Sequence, residues 1–133
     1  MENKTDMGHN TRGRRVVLYC RVATDADAGK SLEAQKEKLH KFAEQQGYEV
    51  VAVVEEVGGG LPFKRPGIKK VFRLAHRHFM DAVLTENLSR IGRDISTTFR
   101  IQGKLKKQHV AIKTLWQEET ALPYLRCFSK LPQ

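Results

Sequence analysis

Four short apolar segments alternate along the chain with longer segments whose apolar residues recur at helical spacing. The short segments, at residues 16–21, 48–56, 80–87 and 109–116, are rich in β-branched residues, and they predict strands. A strand, a helix and a second strand in succession predict parallel pairing, because the connection must cross over the sheet. The order therefore predicts an open α/β fold, with a mainly parallel sheet of four to five strands and helices on both faces.

Three segments between these strands predict helices. The first is expected to begin at an N-cap, Ser31, and to end near Gly47. The third is expected to begin at Asp94 or Ser96. The apolar sides consist of Leu32, Leu39, Phe42 and Ala43 in the first helix, Ile68, Val71, Phe72 and Ala75 in the second, and Ile95, Thr98, Phe99, Gln102 and Leu105 in the third. Such one-sided patterns are typical of helices that pack against a sheet.

The length of 133 residues is that of one domain. Residues 1–14 are polar and aperiodic and are expected to be disordered, residues 15–116 are expected to form the domain, and residues 117–133 form a tail without a usable period. No segment has the length of a membrane span or the pattern of a secretory signal, so a cytoplasmic protein is expected. Cys20 and Cys127 are then expected to be reduced thiols.

The charge is strongly unbalanced. The chain has 24 Lys and Arg residues against 15 Asp and Glu residues, for a net charge of +9. An excess of this size on a small domain favours a polyanionic partner, most often nucleic acid, although basic surfaces also serve solubility.

Arginines follow three of the predicted strands. Arg21 ends the first strand, Arg65 lies in the loop after the second, and Arg90 and Arg93 follow the third. Because the carboxyl ends of parallel strands share one edge of the sheet, we expect these side chains to meet there. A cluster of guanidinium groups suits a phosphodiester, whose developing negative charge such donors stabilise.

Each of these features also has a simpler interpretation. Arg90 and Arg93 are spaced as on a solvated helix face, and Glu56 could pair with one of the arginines. The glycines at 58–60 could be a linker. The sequence HRH at 76–78 lacks spaced acidic or thiol partners, which indicates a helix end and no metal site.

Four sequence blocks resemble serine recombinases of the resolvase/invertase family. They are YCRVAT at 19–24, SLEAQ at 31–35, GGGLPFKRPG at 58–67 and LSRIGRD at 88–94. The resemblance implies a resolvase-like catalytic domain that acts on DNA and needs no cofactor and no metal. In that family a serine attacks a DNA phosphodiester, and the 5′-phosphoserine link conserves the bond energy until strands rejoin.

The resemblance also implies roles for individual residues. Arg21, Arg90 and Arg93 would bind the scissile phosphate. Arg65, also a DNA-binding position, and Gln35 would support them. Glu56 would stand at the family's usual acidic position, and Ser89 at a position that is Asp or Ser in relatives.

The nucleophile position of the family falls on Ala23, whose methyl group cannot attack phosphorus. The chain is therefore expected to be inactive by the family route, whether the serine was replaced deliberately or lost in a degenerate relative. Gly59, where relatives often have serine, is a further departure. Thr24 is a weak candidate for a substitute nucleophile.

Two other interpretations remain at this point. The domain could dock on DNA or on active recombinases and modulate them without cutting. A receiver-like or flavin-binding domain is disfavoured, because arginines occupy the edge where receivers need clustered acids. Relatives form dimers and tetramers through a long helix after the sheet, but the chain changes character after Trp116, so a monomer or weak dimer is expected.

Overall fold

A computed structural model of the chain describes residues 14–25, 28–92 and 94–115. Within these ranges the chain forms four strands, three α-helices and two 3₁₀ turns, Pro62–Lys64 and Leu88–Arg90. The strands are β1 (Arg15–Val22), β2 (Glu49–Val57), β3 (Ala82–Thr85) and β4 (Ala111–Thr114), and the helices are α1 (Ala28–Gln46), α2 (Pro66–His76) and α3 (Ile95–Lys107).

All strand pairs are parallel, and the order across the sheet is β2-β1-β3-β4. The predicted open α/β fold is therefore confirmed, with four strands in the described part of the chain. β1 lies in the middle of the sheet and pairs with both β2 and β3. Near its carboxyl end Arg21 lies opposite Glu56, and Tyr19 lies opposite Thr85. The register thus brings three strand ends level with one another.

The sheet separates two apolar layers, because successive side chains of a strand point to opposite faces. Val16, Leu18 and Cys20 of β1 pack with Leu39 and Ala43 of α1 on one face. The other face is covered by α2 and α3, and its buried residues are Val17, Tyr19, Val54, Ile68, Val71, Ala75, Met80, Val83, Ile91, Ile101, Leu105 and Val110. The predicted placement of helices on both faces is thus confirmed.

The helix ends differ from expectation at one position. Helix α1 begins at Ala28, whose N–H donates to the carbonyl of Asp25 at 3.1 Å, so Ser31 lies inside the helix and the predicted N-cap is wrong. The chain enters the helix earlier because this turn closes directly after β1. Asp94, in contrast, is the N-cap of α3 and accepts the N–H of Thr97 at 3.1 Å. Gly47 ends α1 with a φ of 76°, which suits glycine.

The loop predicted for residues 57–67 is shorter than expected. It contains the 3₁₀ turn Pro62–Lys64, and α2 begins within it at Pro66, where a proline needs no hydrogen-bond acceptor. The HRH segment begins at the last residue of α2, His76, so the predicted helix end is confirmed. None of the helices in the described ranges is long and apolar enough to span a membrane. The predictions for residues 1–13, Cys127 and 117–133 lie outside the described residues.

Replacement of Leu39 by alanine tests the core on the α1 face. Leu39 is fully buried between α1 and the sheet, so Leu39→Ala should lower the free energy of unfolding by about 2–5 kcal/mol. The exposed Leu61 is the control, and Leu61→Ala should change stability by less than about 0.5 kcal/mol. Urea unfolding followed by circular dichroism measures both, and equal losses would contradict this assignment of the core.

Candidate functional site

The guanidinium group of Arg21 ties the end of β1 to two neighbouring loops. Its Nε donates to the carbonyl of Arg90 at 2.7 Å, and its two terminal nitrogens donate to the carbonyls of Gly58 at 2.8 Å and Ser89 at 3.1 Å. Burial, with Arg65 nearby, lowers the pKa of Arg21 from its ordinary value. The loop after β2 and the turn after β3 are therefore held around a single buried cation.

Gln35 of α1 holds the backbone of the same residue. Its side-chain oxygen accepts the N–H of Arg21 at 3.1 Å, and its amide nitrogen donates to the carbonyl of Arg21 at 3.0 Å. Gln35 is buried, so water does not compete with this reciprocal pair. The backbone direction two residues before Ala23 is thereby fixed by α1.

Arg90 lies beside Arg21 with its side chain 30% exposed. It donates to the carbonyl of Arg21 at 3.2 Å and to Glu86 at 3.0 Å. Glu86 also accepts a hydrogen bond from Lys38 of α1 at 3.1 Å. The buried Nε of Arg90 has no hydrogen-bond partner among the residues that the structure describes. Arg90 therefore keeps donor capacity that the protein itself does not use.

Arg65 lies deeper and pairs with Glu56. The Nε of Arg65 lies 3.4 Å from Glu56 Oε2, close enough for an ion pair but without hydrogen-bond geometry. Its terminal nitrogens donate to the carbonyls of Gly60 and Arg90, both at 3.4 Å, and to the carbonyl of Ile91. Because its guanidinium group is enclosed by protein acceptors, Arg65 holds the two loops in position. Direct contact of Arg65 with phosphate stays a prediction.

The carboxylate of Glu56 links β2 to the start of α2. It accepts the N–H of Gly67 at 2.6 Å and a hydrogen bond from the hydroxyl of Tyr19. An acidic group is favourable at a helix N-terminus, where free N–H groups converge. Burial and the hydrogen bond to Glu56 raise the pKa of Tyr19, so its hydroxyl stays protonated as a donor. Of the two interpretations of Glu56, the structure supports pairing inside the protein.

Ala23 lies in a bend directly after β1 and is exposed, as is Thr24. Nothing in the described structure therefore packs the methyl group of Ala23 into a core. The nearby Cys20 is fully buried, and burial, with Glu55 nearby, raises the pKa of its thiol to about 12. Cys20 is thus a neutral core residue and not a nucleophile for this site.

The structure brings together most of the predicted site residues. The carbonyl of Arg90 accepts from both Arg21 and Arg65, so these three arginines from different loops share one frame. Ser89 is exposed in the same turn, with its hydroxyl on Asn87. Arg93 lies outside the described residues. Among the described residues no cluster of three or more His, Cys, Asp or Glu side chains is arranged to hold a metal ion.

Sequence reasoning missed Tyr19, Lys38 and Glu86. The sequence did contain a pattern that indicates the role of Glu86. It lies at the end of the third apolar segment and four residues before Arg90, a spacing that allows an ion pair within one turn. Tyr19 has the pattern of an ordinary strand residue, and its hydroxyl finds its partner, Glu56, only across the pairing of β1 with β2. Lys38 is separated from Glu86 by 48 residues, so no local pattern joins them.

Known proteins are similar to this chain in sequence and in fold. The family described as "Resolvase, N terminal domain" matches residues 16–131. The chain belongs to this family. Its predicted membership among the serine recombinase catalytic domains is thereby confirmed.

Solved structures of the resolvase family have the same fold. The C-terminal catalytic domain of ISC1926 TnpA, an IS607-like serine recombinase, is 26% identical, with a TM-score of 0.70 over 88% of this chain and 77% of that chain. The N-terminal catalytic domain of TP901-1 integrase is 23% identical, with a TM-score of 0.70 over 86% and 88%. A resolvase family site-specific recombinase from Streptococcus pneumoniae is 21% identical, with a TM-score of 0.69 over 90% and 85%. The last two similarities show the fold alone.

Two glycines test the link between Glu56 and α2. A Cβ on Gly67 would lie 2.6 Å from Glu56 Oε2, so Gly67→Ala should displace the carboxylate and lower the free energy of unfolding by about 1–3 kcal/mol. A Cβ on Gly103 in α3 meets open space, so Gly103→Ala should raise stability by about 0.5–1 kcal/mol. Chemical unfolding measures both. A gain in stability for Gly67→Ala would contradict the close approach.

The pH dependence of stability tests the pairing of Glu86. Burial acts to raise the pKa of Glu86, but hydrogen bonds from Lys38 and Arg90 outweigh burial and hold the pKa below the ordinary value of 4.5. The stabilisation is therefore complete above pH 4.5 and is lost as the pH falls through the lower folded-state pKa. We expect the free energy of unfolding at pH 7 to be higher for the wild-type protein than for Glu86→Gln. This difference in free energy should become smaller below about pH 4.5. Glu44→Gln, at an exposed position of α1, is the control and should show no such narrowing.

Proposed function

We propose that this chain is a serine recombinase catalytic domain that holds a DNA phosphate at the end of β1 but forms no covalent link to it. The observation that carries the proposal is the exposed Ala23, placed two residues beyond the backbone that Gln35 and Arg21 fix. A phosphate beside Ala23 would meet cationic donors and no attacking oxygen.

The chemistry of the family requires a hydroxyl oxygen at position 23. That oxygen attacks phosphorus, the 5′-phosphate becomes bonded to the protein, and the 3′ oxygen leaves with a proton as a hydroxyl. A methyl group has no lone pair, so the first bond cannot form. Arg21 and Arg90 would still stabilise negative charge on the phosphate oxygens, because that task needs only their placement.

The arginines divide into two roles under this proposal. Arg90 is the foremost phosphate ligand, since its side chain is 30% exposed at the end of the sheet. Arg21 uses three of its five N–H groups on backbone carbonyls and is largely buried, so it fixes the loops and adds positive charge close to the phosphate. Arg65 and Glu56 position the loops beneath them. Arg93 keeps its predicted role as a phosphate ligand.

A second candidate function is a module that docks on DNA, or joins active recombinases, and modulates them without cutting. The observation in its favour is that most donors of the buried frame already have partners within the protein, among them backbone carbonyls and the side chains of Gln35 and Glu56. Such a frame stays folded whether or not the site reacts. The expectation of a monomer or weak dimer holds for either candidate and is tested by light scattering.

Restoring the oxygen tests the proposal directly. Ala23 is exposed, so Ala23→Ser should leave the fold unchanged. The chain is fused to a DNA-binding domain of known specificity and incubated with DNA that carries two of that domain's sites around a random spacer. We expect Ala23→Ser to form protein–DNA adducts resistant to detergent, and the wild-type chain to form at least about a thousandfold fewer. Mass spectrometry of the digested adduct should locate the nucleotide at position 23.

Three variants control this experiment. Ala23→Gly carries no oxygen and should form no adduct, and adding Arg90→Gln to Ala23→Ser should reduce adduct formation sharply. An adduct of the wild-type chain that disappears in Thr24→Ala would overturn the proposal in favour of a threonine nucleophile. A folded Ala23→Ser protein that binds DNA but never becomes linked to it would assign the chain to the second candidate.

A further inference from the structure

The net positive charge of the chain comes from two segments. Residues 57–80 and 95–116 contain eleven of the 24 Lys and Arg residues and none of the 15 Asp and Glu residues. The rest of the chain, with 13 basic and 15 acidic side chains, is therefore slightly negative. These two segments include α2 and α3, which cover the same face of the sheet. These two segments, which include α2 and α3, thus carry all of the excess charge.

Both of these helices carry exposed cations at helical spacing. Lys69 and Arg73 are four residues apart on α2, and Arg100, Lys104 and Lys107 follow the spacing of one face of α3. Together with Lys64 of the 3₁₀ turn they form a group that we call the basic seam: Lys64, Lys69, Arg73, Arg100, Lys104 and Lys107. All six residues are exposed, and none forms a salt bridge within the described part of the chain.

An aromatic pair joins the two sides of the basic seam. The rings of Phe63 and Phe72 stack at 5.9 Å between centroids. The guanidinium carbon of Arg100 lies 4.8 Å from the centroid of Phe63, and Lys104 Nζ lies 5.6 Å from that of Phe72. The rings therefore hold cations of α3 next to α2 although like charges repel. They also have cations over them, so they are poorly placed to stack on bases.

The opposite face of the sheet shows that this pattern is not general. Helix α1 mixes both signs, and its Lys36 is paired with Glu33 at 2.9 Å and with Glu55 at 3.1 Å. Lys38 is likewise paired with Glu86. Cations that serve only solubility would be expected on both faces and among acidic residues. The basic seam instead has the composition of a surface that meets a polyanion.

We propose that the basic seam is a second DNA-binding surface, which contacts the phosphate backbone of a duplex without reading its sequence. Arg100 and Lys107 are separated by roughly 10 Å along the helix axis, a length that spans about three phosphates of one strand. Lys64 immediately precedes Arg65, so the basic seam begins beside the candidate site. The choice of DNA over another polyanion rests on the proposed function, because a duplex held at the strand ends lies next to Lys64.

A pair of double variants with equal charge change tests the basic seam. Lys69→Gln/Lys107→Gln removes two cations of the basic seam and leaves the cation–aromatic contacts in place. Lys30→Gln/Lys41→Gln removes two exposed cations of α1 and is the matched control. The affinity of the 133-residue chain for a labelled 30-bp duplex is measured by fluorescence anisotropy from low to moderate salt.

The basic seam predicts a change in the salt dependence. The slope of log K against log salt should become shallower by about 1.8 in Lys69→Gln/Lys107→Gln, because two phosphate contacts are lost at about 0.9 each. The slope of the control should stay within about 0.3 of wild type. Equal changes in both variants would show an effect of net charge alone and overturn the proposal, as would no change in either or no binding of DNA by wild type at low salt.

Two further measurements separate the other possible partners and the proposed function. Tighter binding to vesicles with phosphatidylserine, or to polyglutamate, than to DNA at equal salt would assign the basic seam to that partner and overturn the proposal. If Ala23→Ser forms adducts while the basic-seam variant binds DNA like wild type, the basic seam fails and the proposed function stands. If no adduct forms while the basic-seam variant shows the expected shallower slope, the basic seam stands and the proposed function fails.

Discussion

The contact on which the site depends is the buried guanidinium of Arg21 with its three carbonyl acceptors. Residues 58 and 89–90 come from loops that follow different strands, and nothing in their own sequences requires them to meet. A guanidinium has five N–H groups in a fixed plane, so one side chain can satisfy several carbonyls that would otherwise be buried without partners. The same residue that organises the loops therefore carries positive charge to the carboxyl edge of the sheet.

Two carboxylates, Glu56 and Glu86, lie among the cations around this contact. Glu56 lies in the interior between Tyr19 and Arg65, and Glu86 lies between Arg90 and Lys38. Each buried carboxylate thus has a cation beside it, which offsets the cost of removing both from water. Arg21 forms no ion pair in the part of the chain that the structure describes, and its pKa is lowered by burial and by Arg65. The least compensated of these three arginines is consequently Arg21, two residues before Ala23.

The fold could be predicted almost completely from the sequence, and the site only in part. Strand and helix periodicity is a local property, so the order of elements followed from the apolar pattern, and parallel pairing followed from the crossovers. The predicted start of α1 was wrong because Ser31 fits the residue preference for an N-cap but lies inside the helix. The turn that begins the helix is closed by a backbone hydrogen bond of Ala28, which a side-chain pattern cannot reveal. The expectation that side chains at the carboxyl ends of parallel strands meet correctly placed Arg21, Arg65 and Arg90 together. It could not tell that Arg65 would be enclosed, because that depends on the carbonyls of Gly60, Arg90 and Ile91 across two loops.

The chain has the buried contacts of Arg21, Gln35 and Glu56 but no hydroxyl at position 23. This combination has a physical explanation that does not require the chain to be an active enzyme. Arg21, Gln35 and Glu56 each satisfy buried backbone groups, so replacing any of them leaves unpaired donors or acceptors, a cost of about 1–3 kcal/mol for each group. Position 23 has no such constraint, because its side chain is exposed and completes no contact in the described structure. A domain that stopped cutting DNA would therefore retain the arginines for folding and be free to lose the nucleophile. Intact arginines accordingly speak for the family fold, and under the proposed function the side chain at position 23 decides whether the phosphate is attacked.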